Sequence, residues 1–296
     1  MRRLLLVAAA TSVLGCAPKY PQSGPAPANP PSAPPGAHGH PVAPVPAPAR
    51  GDGIRLGPSA LRYLMHQVIH IEQEFQGLRQ PLDYGLRAFF AVTITGPADT
   101  SGYPTTITID SIAVDSGTTA PMGINLSAAK GLSFVGRLTP KGEFRYQLAS
   151  DSVAAQSLSP VVGSFKNFFP RLPPNGLTLG VAWTDTVTEN DRAAGSVTVT
   201  SINRSHAASW EERNSARLLR VEVTSEFTIK GSGQQNNQPF EVSGTGVRSG
   251  TDFVAVDGRY MGGESRDSTS MTITLPVQAI TIPRTQVSKT TVTVLP

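Results

Sequence analysis

Leu219-Arg220-Val221-Glu222-Val223-Thr224-Ser225-Glu226-Phe227-Thr228-Ile229-Lys230 alternates without a break. Leu219, Val221, Val223, Ser225, Phe227 and Ile229 fall on one face, and Arg220, Glu222, Thr224, Glu226, Thr228 and Lys230 on the other. A period of two held over this length specifies a strand with one dry face and one wet face. Met271, Ile273, Leu275 and Val277 repeat the pattern against Thr272 and Thr274, and Thr290 to Val294 repeats it weakly. In 105–114 the phase slips: Ile107 and Ile109 share one face, then Ile112 and Val114 the other. One extra residue near Asp110-Ser111 explains the slip, and a β-bulge is its usual form.

Short polar turns separate these runs. Pro140-Lys141-Gly142 lies between Leu132–Leu138 and Phe144–Leu148. Gly231 to Asn237 separates 219–230 from Phe240–Val247, and Asp257-Gly258 joins Phe253–Val256 to a strand beginning near Arg259. Parallel strands need long crossovers, so turns this short predict antiparallel pairing. Residues 60–76 fit a helix through Leu61, Leu64, Met65, Val68, Ile71 and Phe75. They also fit a strand face through Tyr63, Met65, Ile69, Ile71 and Phe75, and this reading is favoured because a hairpin partner, 82–95, follows a turn at Gly77 to Pro81. Ser159-Pro160 is a helix start, and Val161, Val162, Phe165, Phe168 and Phe169 continue it until Pro170 stops it.

Outside this β-rich part the composition changes. Residues 17–50 contain twelve prolines among Ala, Gly and Ser, with almost nothing to bury. Proline removes backbone donors and favours extended geometry, so the segment reads as a semi-rigid stalk of up to about 100 Å at ~3.1 Å per residue. Ahead of it stand Met1-Arg2-Arg3, the apolar run Leu4 to Ala10, and Val13-Leu14-Gly15-Cys16. The apolar run is too short to span a bilayer permanently. This N-terminus resembles the export signal and lipobox of bacterial lipoproteins. The resemblance implies cleavage before Cys16, a diacylglycerol on its thiol and an acylated N-terminus. Ala17, with no Asp at that position, resembles the Gram-negative pattern sent to the outer membrane. The expected organisation is a signal over 1–15, the lipidated Cys16 and stalk over 16–52, and one domain over 53–296.

Cys16 is the sole cysteine, so no intrachain disulfide forms and the domain must be held by core packing. Arg2 and Arg3 supply half of the formal charge of +4. No dense Lys/Arg stripe exists, and nucleic acid is not an expected partner. No later apolar stretch is long enough for a membrane helix, so the lipid anchor is the expected membrane partner.

Catalytic signals are weak. His66 and His70, with Glu72 nearby, could share a metal on a helix, but on a strand they stand about 13 Å apart at ~3.3 Å per residue. Gln67 replaces the Glu of the zinc-protease motif. His38 and His40 belong to the stalk, and His206 reads as an exposed loop residue with no Gly-x-Ser-x-Gly serine to serve. Gly244-Thr245-Gly246 lacks the lysine of a phosphate loop. Asp110, Asp115 and Asp185 lie singly in strand-like runs. No catalytic residue, metal or cofactor is assigned. Gly180-Val181-Ala182-Trp183-Thr184-Asp185-Thr186, behind Leu172-Pro173-Pro174, resembles a segment of uncharacterised exported β-rich proteins. It implies no activity, and Trp183 is expected in the core.

The expected fold is therefore mainly β: an antiparallel, strongly curved sheet or half-closed barrel with one main short helix packed on it. That layout is similar to periplasmic carriers of the lipoprotein-localisation type, an architectural analogy. The leading expectation is a non-catalytic envelope lipoprotein. It would bind an apolar or lipid ligand between sheet and helix, at Val161, Val162, Phe165, Phe168 and Phe169. The alternative is a stalked scaffold that binds protein partners through sheet edges or loops.

Overall fold

A computed structural model describes residues 53–118, 126–158, 163–191, 195–213, 216–235 and 238–296. Its strands are β1 Ser59–Phe75, β2 Leu78–Ile94, β3 Tyr103–Val114, β4 Ser133–Leu138, β5 Phe144–Ala149, β6 Ala182–Asp191, β7 Gly195–Arg213, β8 Ala216–Gln235, β9 Gln238–Ala255, β10 Tyr260–Leu275 and β11 Ile280–Val294. All eleven form one sheet in the order β5-β4-β3-β2-β1-β11-β10-β9-β8-β7-β6. Every pairing is antiparallel. The chain starts at the middle, winds out to β5, crosses over through residues 150–181, and winds back from β6. Hairpins make all the ladders but one, β1–β11, which runs from Tyr63↔Val294 to Gln73↔Arg284.

The alternation read from 219–230 holds in the structure. Val221 and Phe227 are buried, while Glu222 and Glu226 are exposed. Residues 60–75 are strand, not helix, and the turn is Gln76-Gly77 rather than 77–81, since β2 already pairs from Leu78. The phase slip in β3 is a bulge: Phe89 pairs with Ser111 and Phe90 with Ile109, so Asp110 is the extra residue. The predicted hairpin turns at Pro140-Lys141-Gly142 and Asp257-Gly258 are in place. The glycine-rich run 231–237 does not end the strand at 230. β8 continues to Gln235, and Gly231 lies flat against Ser196 and Val197, where a Cβ would come within 2.2 Å of the Ser196 carbonyl oxygen.

The sheet is strongly curved. β4 and β10 stand five places apart in the order, about 24 Å in a flat sheet at ~4.8 Å per strand. Yet Phe134 of β4 meets Phe165, and Tyr260 of β10 meets Phe168, at centroid separations of 5.7 and 5.3 Å. Phe90 of β2 joins the two, 5.0 Å from Phe165 and 5.1 Å from Phe168. The sheet curls around the crossover segment, but β5 and β6 do not pair with each other, so it is not closed.

The crossover differs from the single helix expected over 160–169. It holds a short helix, α1 Ser152–Ser157, and a 3-10 turn, Gly163–Asn167; residues 159–162 lie outside the described residues. Asp151 Oδ1 accepts from the backbone N–H groups of Val153 and Ala154, both at 2.9 Å, and starts α1. Phe168 and Phe169 are adjacent in sequence and both buried. One helical face cannot bury two successive rings, so the chain leaves helical geometry after Asn167. The β4–β5 hairpin clamps the segment from Pro170 to Leu172. Leu172 donates to the Lys141 carbonyl at 2.9 Å. Gly142, at φ +85°, lies so close to Pro170 that a Cβ would fall 1.9 Å from its carbonyl oxygen. Burying each large side chain of the aromatic cluster contributes about 1.5–3 kcal/mol.

Candidate functional site

Ser225 is the one polar residue on the dry face of 219–230, and it marks a polar belt across the concave side. In register with it lie Asn203 on β7 and Arg248 on β9. Beyond them come Asp185 on β6, then Asp267 on β10 and Ser288 on β11. A single row across six strands is thus polar, although it faces inward. For Asn203, Ser225 and Asp267 alternation forces this placement, because each is two or four positions from a buried apolar neighbour on its own strand, Val199, Phe227 and Met271.

Between this belt and the aromatic core lies a chamber of about 240 Å³. Phe168, Phe169 and Tyr260 form its aromatic wall. Gln67, Ser205, Ser225, Arg248, Asp252 and Asp267 supply much of its polar lining, with Glu189 and Asn167 on the β6 side. The lining runs from β1 to β6, six places apart in the sheet, so the chamber exists only because the sheet curls.

The polar groups are held in place by one another. Arg248 Nε pairs with Asp267 Oδ1. Ser225 Oγ donates to Asn203 Oδ1 at 2.6 Å. Asn167 Nδ2 donates to Glu189 Oε1 at 2.8 Å, and Lys166 Nζ stands 3.7 Å from the same oxygen. Tyr63 Oη donates to the Tyr260 carbonyl at 2.8 Å, and Tyr260 Oη donates to Asp252 Oδ1 at 2.9 Å. Burial pushes the Asp252 carboxyl up to about 6, with Tyr260 and Arg248 holding it down in part. Burial, then the neighbouring Asp252, pushes the Tyr260 phenol well above its ordinary value. Burial works against the Arg248 guanidinium, but Asp267, and behind it Asp252 and Glu189, outweigh burial and keep it charged.

The residues singled out from sequence fall in several places. Phe165 is packed into the aromatic core, while Phe168 and Phe169 stand between that core and the chamber. Val161, Val162, Cys16, His38 and His40 lie outside the described residues. His66 and His70 are on the convex face of β1. His66 Nε2 is 2.7 Å from Asp115 Oδ2, and His70 Nδ1 is 2.6 Å from Asp83 Oδ1. The Asp83 hydrogen bond raises the His70 pKa above its ordinary value. Among the described residues, no group of His, Cys, Asp and Glu is arranged to hold a metal ion. His206 is exposed, as expected, but lies in β7 rather than in a loop. Trp183 opens β6 and packs against the core, and Asp185 joins the polar belt. Gly244 and Gly246 belong to β9, where a Cβ on Gly246 would stand 2.2 Å from Phe227 Cζ. That pair of glycines makes room for side chains, not for phosphate.

No known protein family matches this chain, and no curated protein matches it. Several solved structures match, among them one of slight likeness. It is Pseudomonas aeruginosa OccK2 (OpdF), at 8% identity and a TM-score of 0.27, over 83% of this chain and 100% of that one. A likeness of that size carries no argument about fold or function. Among the described residues, no helix is long and apolar enough to cross a membrane.

Proposed function

We propose that this chain is a stalked, non-catalytic lipoprotein of the cell envelope whose β domain binds a small polar solute in the concave chamber. The observation that carries the reading is the chamber itself: an inward-facing row of polar side chains beside an aromatic wall, around about 240 Å³ of space. A sheet that only needed a core would place apolar residues there. Ligand sites combine an apolar wall with a few fixed polar groups, and their usual volume is about 300–1,000 Å³, so a smaller chamber suits a small occupant. The apolar ligand expected from sequence fits less well. The rings of Phe165, Phe168 and Phe169 are packed against Phe90, Tyr63 and Tyr260, which fills the space an acyl chain would need.

The convex face supports tethering by lipid rather than by a spanning barrel. Arg62, His70, Glu222, Glu226 and Lys289 are exposed there, where a spanning barrel carries an apolar band. The Cys16 anchor and the 16–52 stalk would hold this wet surface clear of the bilayer, facing the periplasm in a Gram-negative host.

The test uses the full chain carrying Cys16→Ser, purified without detergent and weighed by native mass spectrometry. A stoichiometric small-molecule adduct that is lost when Asn203→Leu crowds the chamber supports the reading. A bare mass that persists when mixtures of amines, sugars and amino acids are offered overturns it. A second reading, strand addition by a protein partner, rests on the free side of β6, which pairs only with β7 among the described residues.

A further inference from the structure

We infer that the occupant of the chamber is a small organic cation, a protonated amine or quaternary ammonium, and this rests on reading the chamber as a binding site. The charges around it are unequal. Arg248 is paired with Asp267, and Glu189 has Asn167 and Lys166. Asp252 is different: its hydrogen-bond partner is the neutral phenol of Tyr260, and it has no ion-pair partner among the described residues. A carboxylate withdrawn from bulk water is costly where the nearby cation, Arg248, is already paired with Asp267, and a cationic ligand would offset that cost. The wall next to it is aromatic, with Tyr260, Phe168 and Phe169, and such rings attract a cation through their quadrupoles.

A second polar lining residue lies two strands from Asp252. Ser205 on β7 lines the chamber and is only 7% exposed. A serine hydroxyl both donates and accepts, so it can bond a polar group of the ligand. A carboxylate beside an aromatic wall, with a hydroxyl two strands away, suits a short cation carrying its own hydroxyl or amine. Choline and putrescine are suitable probes.

The experiment is titration calorimetry on the full chain carrying Cys16→Ser. The probes are choline, putrescine, glucose and 3,3-dimethylbutan-1-ol, the uncharged isostere of choline. Choline or putrescine is expected to bind at least about tenfold more tightly than the isostere. Asp252→Asn, which preserves shape and the Tyr260 contact, is expected to abolish that preference. Ser205→Ala is expected to weaken binding several-fold, and Asp115→Asn on the convex face to leave it unchanged. Equal binding of the isostere or of glucose, unaffected by Asp252→Asn, overturns the cation inference while leaving the chamber as a binding site. If no probe binds while the native-mass experiment still finds an adduct, the cation inference again falls alone. If that experiment also finds none, both fall.

Discussion

Asp252 is a carboxylate whose environment favours its proton. Its folded pKa of about 6 stands above the ordinary 3.8, chiefly through burial, so the folded state holds the proton more tightly than the unfolded chain does. The stability this supplies is complete below about pH 3.8 and is lost as the pH rises through about 6. Arg248 on β9, Tyr260 on β10, Tyr63 on β1 and Glu189 on β6 surround the site and stay in place when Asp252 becomes Asn. Asp252→Asn is therefore expected to gain stability relative to the parent between pH 5 and pH 7. Urea midpoints measured at both values for both proteins check this. His70 on the convex face, its pKa raised by Asp83, is present in both and cancels. Parallel midpoints would mean that Asp252 is not shifted. At this scale the sequence is partly legible. Ser225 interrupts a dry face and so announces an inward polar position. Arg248 and Asp252 give no such signal, because Gly244, Gly246 and Gly250 erase the alternation of β9 around them.

The strands carry their own register devices, and the bulge in β3 is the clearest. Asp110 is inserted between the Phe89↔Ser111 and Phe90↔Ile109 pairs. It bonds to Arg62 on the convex side at 2.9 Å. Because of it, Ile107, Ile109 and Ile112 all reach the core, where regular alternation would turn Ile112 outward. Deleting Asp110 removes the extra residue, leaves Ile109, Ser111 and Ile112 in regular alternation against Phe90, Phe89 and Ala88, and is therefore expected to keep the core faces and to cost no more than ~1 kcal/mol. Asp110→Ala keeps the extra residue and loses only an exposed ion pair, expected to cost under ~1 kcal/mol. Chemical denaturation of the two variants checks this, and a loss of several kcal/mol on deletion alone would refute the assignment of Asp110 as the extra residue. The phase slip is readable in sequence because strands have a strict period. The crossover is not. Val161 to Phe169 has helical spacing, but burying Phe168 and Phe169 together requires a break that only the surrounding sheet dictates.

The whole molecule is two meanders joined at their centres. β1–β5 and β6–β11 meet through the β1–β11 ladder and through the crossover that the sheet surrounds. Hairpin turns announce each meander locally, but nothing local announces that Tyr63 will pair with Val294, or that seven strands will curl far enough to enclose a chamber. That pairing closes a loop of over two hundred residues, the entropically expensive step of this topology, and the loss is offset only when the crossover docks as well. If the ladder is what makes the domain one cooperative unit, breaking it without touching the core should uncouple the halves. Thr291 lies on the convex side of β11, between His66 and Glu264. Thr291→Pro removes a ladder donor in a central strand and leaves concave packing intact. In the parent, far-ultraviolet circular dichroism and tryptophan fluorescence should report one transition, since both tryptophans, Trp183 and Trp210, lie in the β6–β11 half and circular dichroism reads every strand. In Thr291→Pro the two probes should separate, with the β1–β5 half unfolding at lower denaturant, because that half carries fewer and shorter strands. Coincident transitions at an unchanged midpoint would show that the crossover alone couples the halves, and that the chamber is held by its aromatic wall rather than by the continuity of the sheet.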